Sequence, residues 1–269
     1  MGLTERLELG EAEMYWVLSQ CPPDVVELLG LKVQRFGRGV VLALSNDPTQ
    51  YWSQAHGLGF DRPIGSALIG EVIDFARGAG GDVMNFHLAP EVLPDDWAQI
   101  CAEHGLTSGG TLMKTVRDAS PVKPVETDLR IGPIGPDDAA TWTAIQIEGF
   151  EMPDEDGSQS ALFHSFTQVP EVTAYGAWDG DTMVAGAALC VVGDLAELVS
   201  DATLPSYRGR GAQSALQARR LEDAYAAGCR WASSETEKPG PDEHNSSLAN
   251  MERQSLQLAY ERPIYTWHA

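Results

Sequence analysis

The segment from Ala196 to Leu216 constrains the fold more than any other part of the chain. An alternating run, Ala196-Glu197-Leu198-Val199-Ser200-Asp201-Ala202-Thr203, reads as a strand and ends at Leu204-Pro205. It then passes through Ser206-Tyr207-Arg208-Gly209-Arg210-Gly211 and restarts at Ala212-Gln213-Ser214-Ala215-Leu216 as a helix. A strand that turns directly into a helix packs that helix back on its own sheet, which requires an α/β architecture. Glycines let the backbone take positive φ and approach a ligand closely. The free N–H groups and positive dipole end of the new helix then favour an anion, and Arg208 and Arg210 add charge beside it. The patterns G-x-x-x-x-G-K-[ST] and G-x-G-x-x-G are both absent, which argues against an NTPase and a dinucleotide dehydrogenase.

Prolines and small polar residues in Asp118-Ala119-Ser120-Pro121-Val122-Lys123-Pro124 mark an extended connector. The expected division is a domain over residues 1–118, a linker over 119–127 and a second domain over 128–269. In the first, helices are expected at 10–20, 64–78 and 94–104, with strands at 39–45, 53–60, 82–88 and 110–116. In the second, strands are expected at 128–134, 172–178, 183–192, 195–204, 230–236 and 257–267. Helices are expected there at 136–149, 159–169, 211–227 and 246–254. Asp179-Gly180-Asp181 joins two of those strands as a hairpin. The two halves share an element order, so the fold class is two α/β (α+β) units, each a mixed sheet flanked by helices.

Composition narrows the partners. The 269 residues hold 18 Lys/Arg against 39 Asp/Glu, a formal net charge of −21, and the excess is greater after residue 125, with 9 basic against 23 acidic residues. That charge argues strongly against binding nucleic acid through its phosphates and against docking on anionic lipid. Cys21, Cys101, Cys190 and Cys229 are far apart and form no C-x-x-C pair, so neither a zinc ribbon nor a disulfide framework is signalled. His56 and His87 lack metal-ligand spacing, and no metal is expected. The acidic start lacks an apolar signal core, and the longest apolar stretch, about 183–193, is too short to span a bilayer. The expectation is a reduced, cytoplasmic protein.

The run Arg208-Gly209-Arg210-Gly211-Ala212-Gln213 resembles the acyl-CoA-binding motif R/Q-x-x-G-x-G/A of the GNAT superfamily of N-acyltransferases, with Gln213 where Gly or Ala is usual. Downstream, Ser247-Leu248-Ala249-Asn250-Met251-Glu252-Arg253-Gln254-Ser255-Leu256 is similar to that superfamily's S-x-x-N-x-x-[KR]-x-G-F run, with Ser255 and Leu256 replacing Gly-Phe. The resemblance covers residues 128–269. It implies a mostly antiparallel sheet in each unit and acetyl-CoA as co-substrate in a splayed gap between the strand ending at Thr203 and the strand at 230–236. Main-chain groups at Ala202 and Thr203 would bond the pantetheine arm, N–H groups from Arg208 through Gly209, Arg210, Gly211, Ala212, Gln213 and Ser214 would hold the pyrophosphate, and Asn250 would reach the pantetheine side. Residues 1–118 read as a degenerate copy, because Gly57-Leu58-Gly59-Phe60-Asp61-Arg62 carries no such motif.

The implied reaction moves an acetyl group to the primary amine of a small molecule by direct attack. An alkyl ammonium has a pKa near 10, so a base must take a proton. Glu197 occupies the position of a catalytic glutamate in several members of the superfamily. Strand parity puts it on one face with Val199, Asp201 and Thr203, making Asp201 a second acidic candidate. Glu235 and Glu237 follow on the next strand. For the acid, the position where the superfamily often has a tyrosine holds Met251; Tyr260, with Tyr265 behind it, is the nearest substitute. Two alternatives stay open: a non-catalytic acyl-CoA-binding sensor or partner module, and an acetyltransferase for protein N-termini or lysines. A homodimer also stays open.

Overall fold

One order of elements runs twice along the chain. The first pass is α1 (Leu3–Leu18), α2 (Pro23–Leu29), β1 (Lys32–Phe36), β2 (Gly39–Ala43), β3 (Gln54–His56), α3 (Ser66–Gly78), β4 (Val83–His87), α4 (Trp97–His104) and β5 (Thr107–Asp118). The second opens with β6 (Arg130–Pro133) and repeats the order: α5 (Ala139–Gly149), α6 (Ser158–Phe166), β7 (Val172–Asp179), β8 (Thr182–Val192), β9 (Leu195–Thr203), α7 (Ala212–Ala226), β10 (Trp231–Glu237), α8 (Ser246–Arg253) and β11 (Gln257–His268). The architecture is a computed structural model that describes residues 1–123 and 125–269. The expected linker 119–127 includes Pro124, which lies outside the described residues.

The chain divides into a unit of Met1–Met113 with Ala259–Ala269 and a unit of Lys114–Leu258. These bounds differ from the expected 1–118 and 128–269. The end of β11 pairs with β4, Ile264↔His87 through His268↔Val83, and so belongs to the first unit. The last residues of β5, from Lys114, belong to the second, where β5 lies beside β10. Pairing between strands so distant in sequence leaves no local pattern to read.

In the first unit the strand order is β1-β2-β3-β4-β11. Its core forms where the apolar face of α3, carrying Leu68, Ile69, Val72, Ile73 and Ala76, covers Val41, Ala55, Met84 and Phe86. Three elements went unread in the sequence: the first turns of α1, all of α2, and β1. The first turns of α1 bury Leu7 together with two acids, Glu8 and Glu11, and β1 is a largely exposed edge. Neither gives a clean apolar period.

In the second unit the order is β5-β10-β9-β8-β7-β6. β6, β7, β8 and β9 are antiparallel neighbours, and β9 and β10 are parallel. β8 is buried over most of its length, as its continuous apolar run requires of a central strand. α7 packs Ala212, Leu216, Leu221 and Ala224 against Ala185, Ala187, Leu189 and Leu198. α5 covers the other face, and glycines permit its close approach. A Cβ on Gly186 would lie 2.8 Å from Trp142, and one on Gly149 would lie 2.8 Å from Ala202.

Candidate active site

The turn into α7 has the backbone geometry that an anion cradle needs. Gly209 (φ 83°) and Gly211 (φ 81°) are left-handed, which the sequence meets with its two glycines. Gly211 is the N-cap of α7, and no side chain caps that helix. A Cβ on either glycine would meet nothing within 4 Å, so the cradle opens to space. The first N–H groups of α7 therefore have no side-chain cap, at a turn that is open at both glycines, and such groups suit an anion.

The two arginines do different work. Arg210 donates to Asp179 at 2.6 Å and to Asp128, and its guanidinium lies 5.6 Å from the Tyr207 ring centroid. It braces the loop from behind, and Asp179 is held below the usual carboxylate range by this bond. Arg210 thus offers the cradle its backbone N–H and not its charge. Arg208 is exposed and, among the described residues, has no carboxylate partner, so it is the cation available to a phosphate.

The helix start is also tied to α8. Gln213, at the motif's departing position, donates to Ser247 Oγ at 3.0 Å and accepts from the Asn250 amide. Asn250 Oδ1 accepts from Ser214 Oγ at 3.0 Å and from Arg253. Asn250, expected beside the pantetheine, has its amide engaged by α7 and Arg253.

Beside the cradle the sheet splays. Parallel pairing of β9 with β10 covers Leu195↔Trp231, Ala196↔Ala232 and Glu197↔Ser233 and stops there. The remaining β9 residues, through Ala202 and Thr203, keep their register with β8 only. A bulge sits at this point. Between the pairs Ala188↔Val199 and Gly186↔Ala202, the single residue Ala187 stands against Ser200 and Asp201. Ser200 takes the left-handed conformation, φ 58°.

The bulge corrects the expected strand parity. Glu197 and Val199 share a face with Ala202, the face covered by α5, whereas Asp201 and Thr203 turn to the α7 face. Asp201 there pairs with Arg220 of α7, which is fully buried and also donates to the Ala188 carbonyl at 2.8 Å. Burial pushes the Asp201 carboxyl up, against the opposing pull of Arg220. Asp201 is thus the counterion of Arg220 and does not share a face with Glu197.

Glu197 is 1% exposed. Lys114 of β5, equally buried, places Nζ 3.6 Å from Glu197 and 3.8 Å from Glu235 of β10. Lys114 had no signal in the sequence, where it is one polar residue in a strand before the linker. The same face holds two fully buried polar groups that have no hydrogen-bond partner among the described residues: the Gln146 amide over Gly186, and the Ser233 hydroxyl beside Glu197. Buried groups of this kind are normally satisfied. Glu237 lies at the exposed end of β10.

Tyr260 lies in the first unit. Its hydroxyl donates to Glu8 at 2.7 Å, and burial together with that carboxylate pushes its pKa up. Arg262 joins the same buried network, bonding Glu8 at 3.1 Å and Glu11 at 2.9 Å, with His87 at 3.4 Å. The His56 and His87 rings lie 4.5 Å apart. Tyr265 packs edge-on against Trp97. Tyr260 is therefore not brought together with Glu197 in one unit. The turn of the first unit that corresponds to the cradle is filled. A Cβ on Gly59 would meet Val92 at 2.6 Å, and one on Gly57 would meet Ala12 at 2.8 Å.

Among the described residues no group of three or more His, Cys, Asp or Glu is placed to hold a metal ion. No helix among them is long and apolar enough to cross a membrane.

No family model matches the sequence, and no curated protein matches it. Solved structures do. A GCN5-related N-acetyltransferase from Kribbella flavida matches with a TM-score of 0.68 at 17% identity, covering 100% of this chain and 96% of its own. A tandem GNAT protein from the clavulanic acid biosynthesis pathway matches with a TM-score of 0.60 at 14% identity, covering 96% and 95%. A third, a GCN5-related N-acetyltransferase from Sphaerobacter thermophilus, gives 0.59 at 12%, covering 86% and 80%. The twice-run element order, the splay beside the cradle and these likenesses together identify the fold of this chain as that of the GCN5-related N-acetyltransferases.

Proposed function

We propose that the second unit transfers an acetyl group from acetyl-CoA to a primary amine of a small molecule. The observation that carries this reading is the open cradle at the start of α7, set beside the splay of β9 from β10, with Glu197 on the opposite face. The cradle fits a pyrophosphate: uncapped N–H groups from Gly211 to Ser214, left-handed glycines that leave space, and Arg208 as cation. Main-chain groups of Ala202 and Thr203, no longer paired with β10, suit the amides of a pantetheine arm. When bound, acetyl-CoA supplies an acyl thioester open to attack by an amine.

The protein's part is to orient the amine and remove its proton. As the amine nitrogen forms its bond to the acyl carbon, the thioester carbon–sulfur bond would break and coenzyme A would leave as its thiolate; in this reading Glu197 takes the proton the nitrogen releases, and that proton ends on the thiolate. Gln146 and Ser233, buried and without partners, offer the acceptor hydrogen bonds on the same face. The fate of Tyr260 favours a second reading, an acyl-CoA sensor without turnover, because the expected acid is engaged by Glu8 in the first unit.

Two measurements decide. Acetyl-CoA at 100 times Kd is expected to stabilise the protein by about 2.7 kcal/mol, a rise of a few degrees in Tm. Replacing Arg208→Ala and Gly211→Val together should abolish the rise, since valine is strained at that φ. A screen of small amines then reads turnover, and Glu197→Gln should flatten the ascending limb of the kcat/KM–pH profile. A thermal shift with no turnover on any amine selects the sensor; no shift at millimolar acetyl-CoA sinks both readings.

A further inference from the structure

We infer that Lys114 is the positioning residue of the second unit's site, holding the Glu197 carboxylate ionised in a place where burial opposes ionisation. This rests on the reading of Glu197 as base. It assigns a role in that site to a residue encoded before the linker, in the half of the sequence that lacks the cofactor motif.

Glu197 is 1% exposed, and a carboxylate taken that far from water favours its neutral form unless a cation faces it. A neutral carboxyl accepts no proton, so a buried base needs a counterion. Lys114 Nζ, 3.6 Å away, supplies one and is itself 1% exposed. The other groups facing Glu197 make this cation more necessary. Register places Glu235 two residues beyond Ser233, the partner of Glu197, on the same face of β10, and its carboxylate shares Lys114 at 3.8 Å. On β8, Cys190 pairs with Glu197 across the strands, and burial with the Glu197 and Glu171 carboxylates pushes that thiol up to about 12, so it stays neutral. α5, which covers this face, carries a single charged residue, Glu148, and that residue is exposed. Lys114 thus serves two carboxylates, one fully buried and one partly exposed. Removing it leaves two like charges on one face, which then share a proton.

The position also has a structural logic. Lys114 is the first residue of the second unit, on the strand that ends the first pass of elements. Arg262 is its counterpart on β11, the strand that ends the second pass, where it faces Glu8 and Glu11 in the first unit. Each unit therefore receives a buried cation from a strand that the sequence order assigns to the other half. The degenerate first half supplies the working site with its cation.

The test uses the full chain with Lys114→Met, Lys114→Arg, and Lys114→Met combined with Glu197→Gln. Two profiles are recorded for each from pH 5.5 to 9: Tm, and kcat/KM with an amine found to turn over. In Lys114→Met the folded carboxyl pKa is raised, so stability is retained at low pH and lost as pH rises through that value. Its Tm deficit against wild type should therefore grow with pH, and Glu197→Gln in that background should remove the growth. The ascending limb of kcat/KM should move up by a unit or more, a loss of about tenfold a unit below the wild-type midpoint, while Lys114→Arg restores both profiles. A Tm deficit equal at every pH, or a limb that stays in place in Lys114→Met, overturns the inference and leaves the acyltransfer reading standing. If the wild-type protein turns over no amine while Lys114→Met still shows the pH-dependent deficit, the positioning role is overturned because the base reading itself has failed.

Discussion

At the scale of single residues, partners decide which polar groups are available for chemistry. Arg208 and Arg210 are two positions apart in one loop, yet Arg210 is bound by Asp179 and Asp128 while Arg208 is exposed. Glu197 and Asp201 lie on one strand, but each has its own cation, Lys114 for the first and Arg220 for the second. The cysteines follow the same logic. Cys190 is fully buried, and burial with two neighbouring carboxylates raises its pKa to about 12, so the thiolate that reacts with disulfide reagents is suppressed in the folded state. Treated with a thiol reagent at pH 8, the native protein should modify Cys21, which is half-buried, and leave Cys190 untouched until denaturant is added. The linkage sign follows from a folded pKa above the unfolded value of 9.0. Cys190 adds its full stabilisation below pH 9 and loses it as pH climbs toward 12. Mass spectrometry of the labelled native protein checks this, and label at Cys190 without denaturant would mean that β8 is not the closed central strand described.

At the scale of elements, most of the helices and strands were legible because their apolar residues keep a period, as in α3 and β8. The cradle was legible too, since only glycine takes φ near 80° without strain and the sequence sets two glycines at the end of a strand. The bulge in β9 was not. Period-two reading assumes one residue opposite one, and nothing in Val199-Ser200-Asp201 announces that two will face Ala187. That single extra residue moved Asp201 to the other face and brought Ala202 to the face of Glu197. Lys114, Tyr260 and Arg262 escaped for a different reason: their partners come from elements far away in sequence. The bulge yields its own prediction. Ser200, at φ 58°, should tolerate glycine with stability unchanged or raised by up to ~1 kcal/mol, whereas Ser200→Val should lose about 1–2 kcal/mol because a β-branched residue resists the left-handed region. Urea denaturation of the two variants measures the difference. Equal stabilities would remove the left-handed residue, and with it the inverted parity of β9.

At the scale of the whole molecule, the stability of the first unit depends on residues at the far end of the chain. Glu8 and Glu11 are each 1% exposed on α1, and the cation between them is Arg262 of β11, fully buried. Two carboxylates in that setting cannot both stay ionised without it. A buried pair broken from one side costs about 3–5 kcal/mol, because the remaining charge has neither water nor partner. Arg262→Met should therefore lose that much, and Glu11→Gln added to it should recover part of the loss by removing one stranded charge. Tyr260→Phe, which deletes only the hydroxyl donating to Glu8, should lose less, about 1–3 kcal/mol. The place of the loss is as informative as its size. Arg262 touches Glu8, Glu11 and His87, all in the first unit. Hydrogen exchange should therefore speed up in α1, β3 and β4 of Arg262→Met while the paired amides of β7 and β8 keep their protection. Equal acceleration across both sets of strands would show that Arg262 acts on the chain as one cooperative body, not as the ion that fixes the first unit.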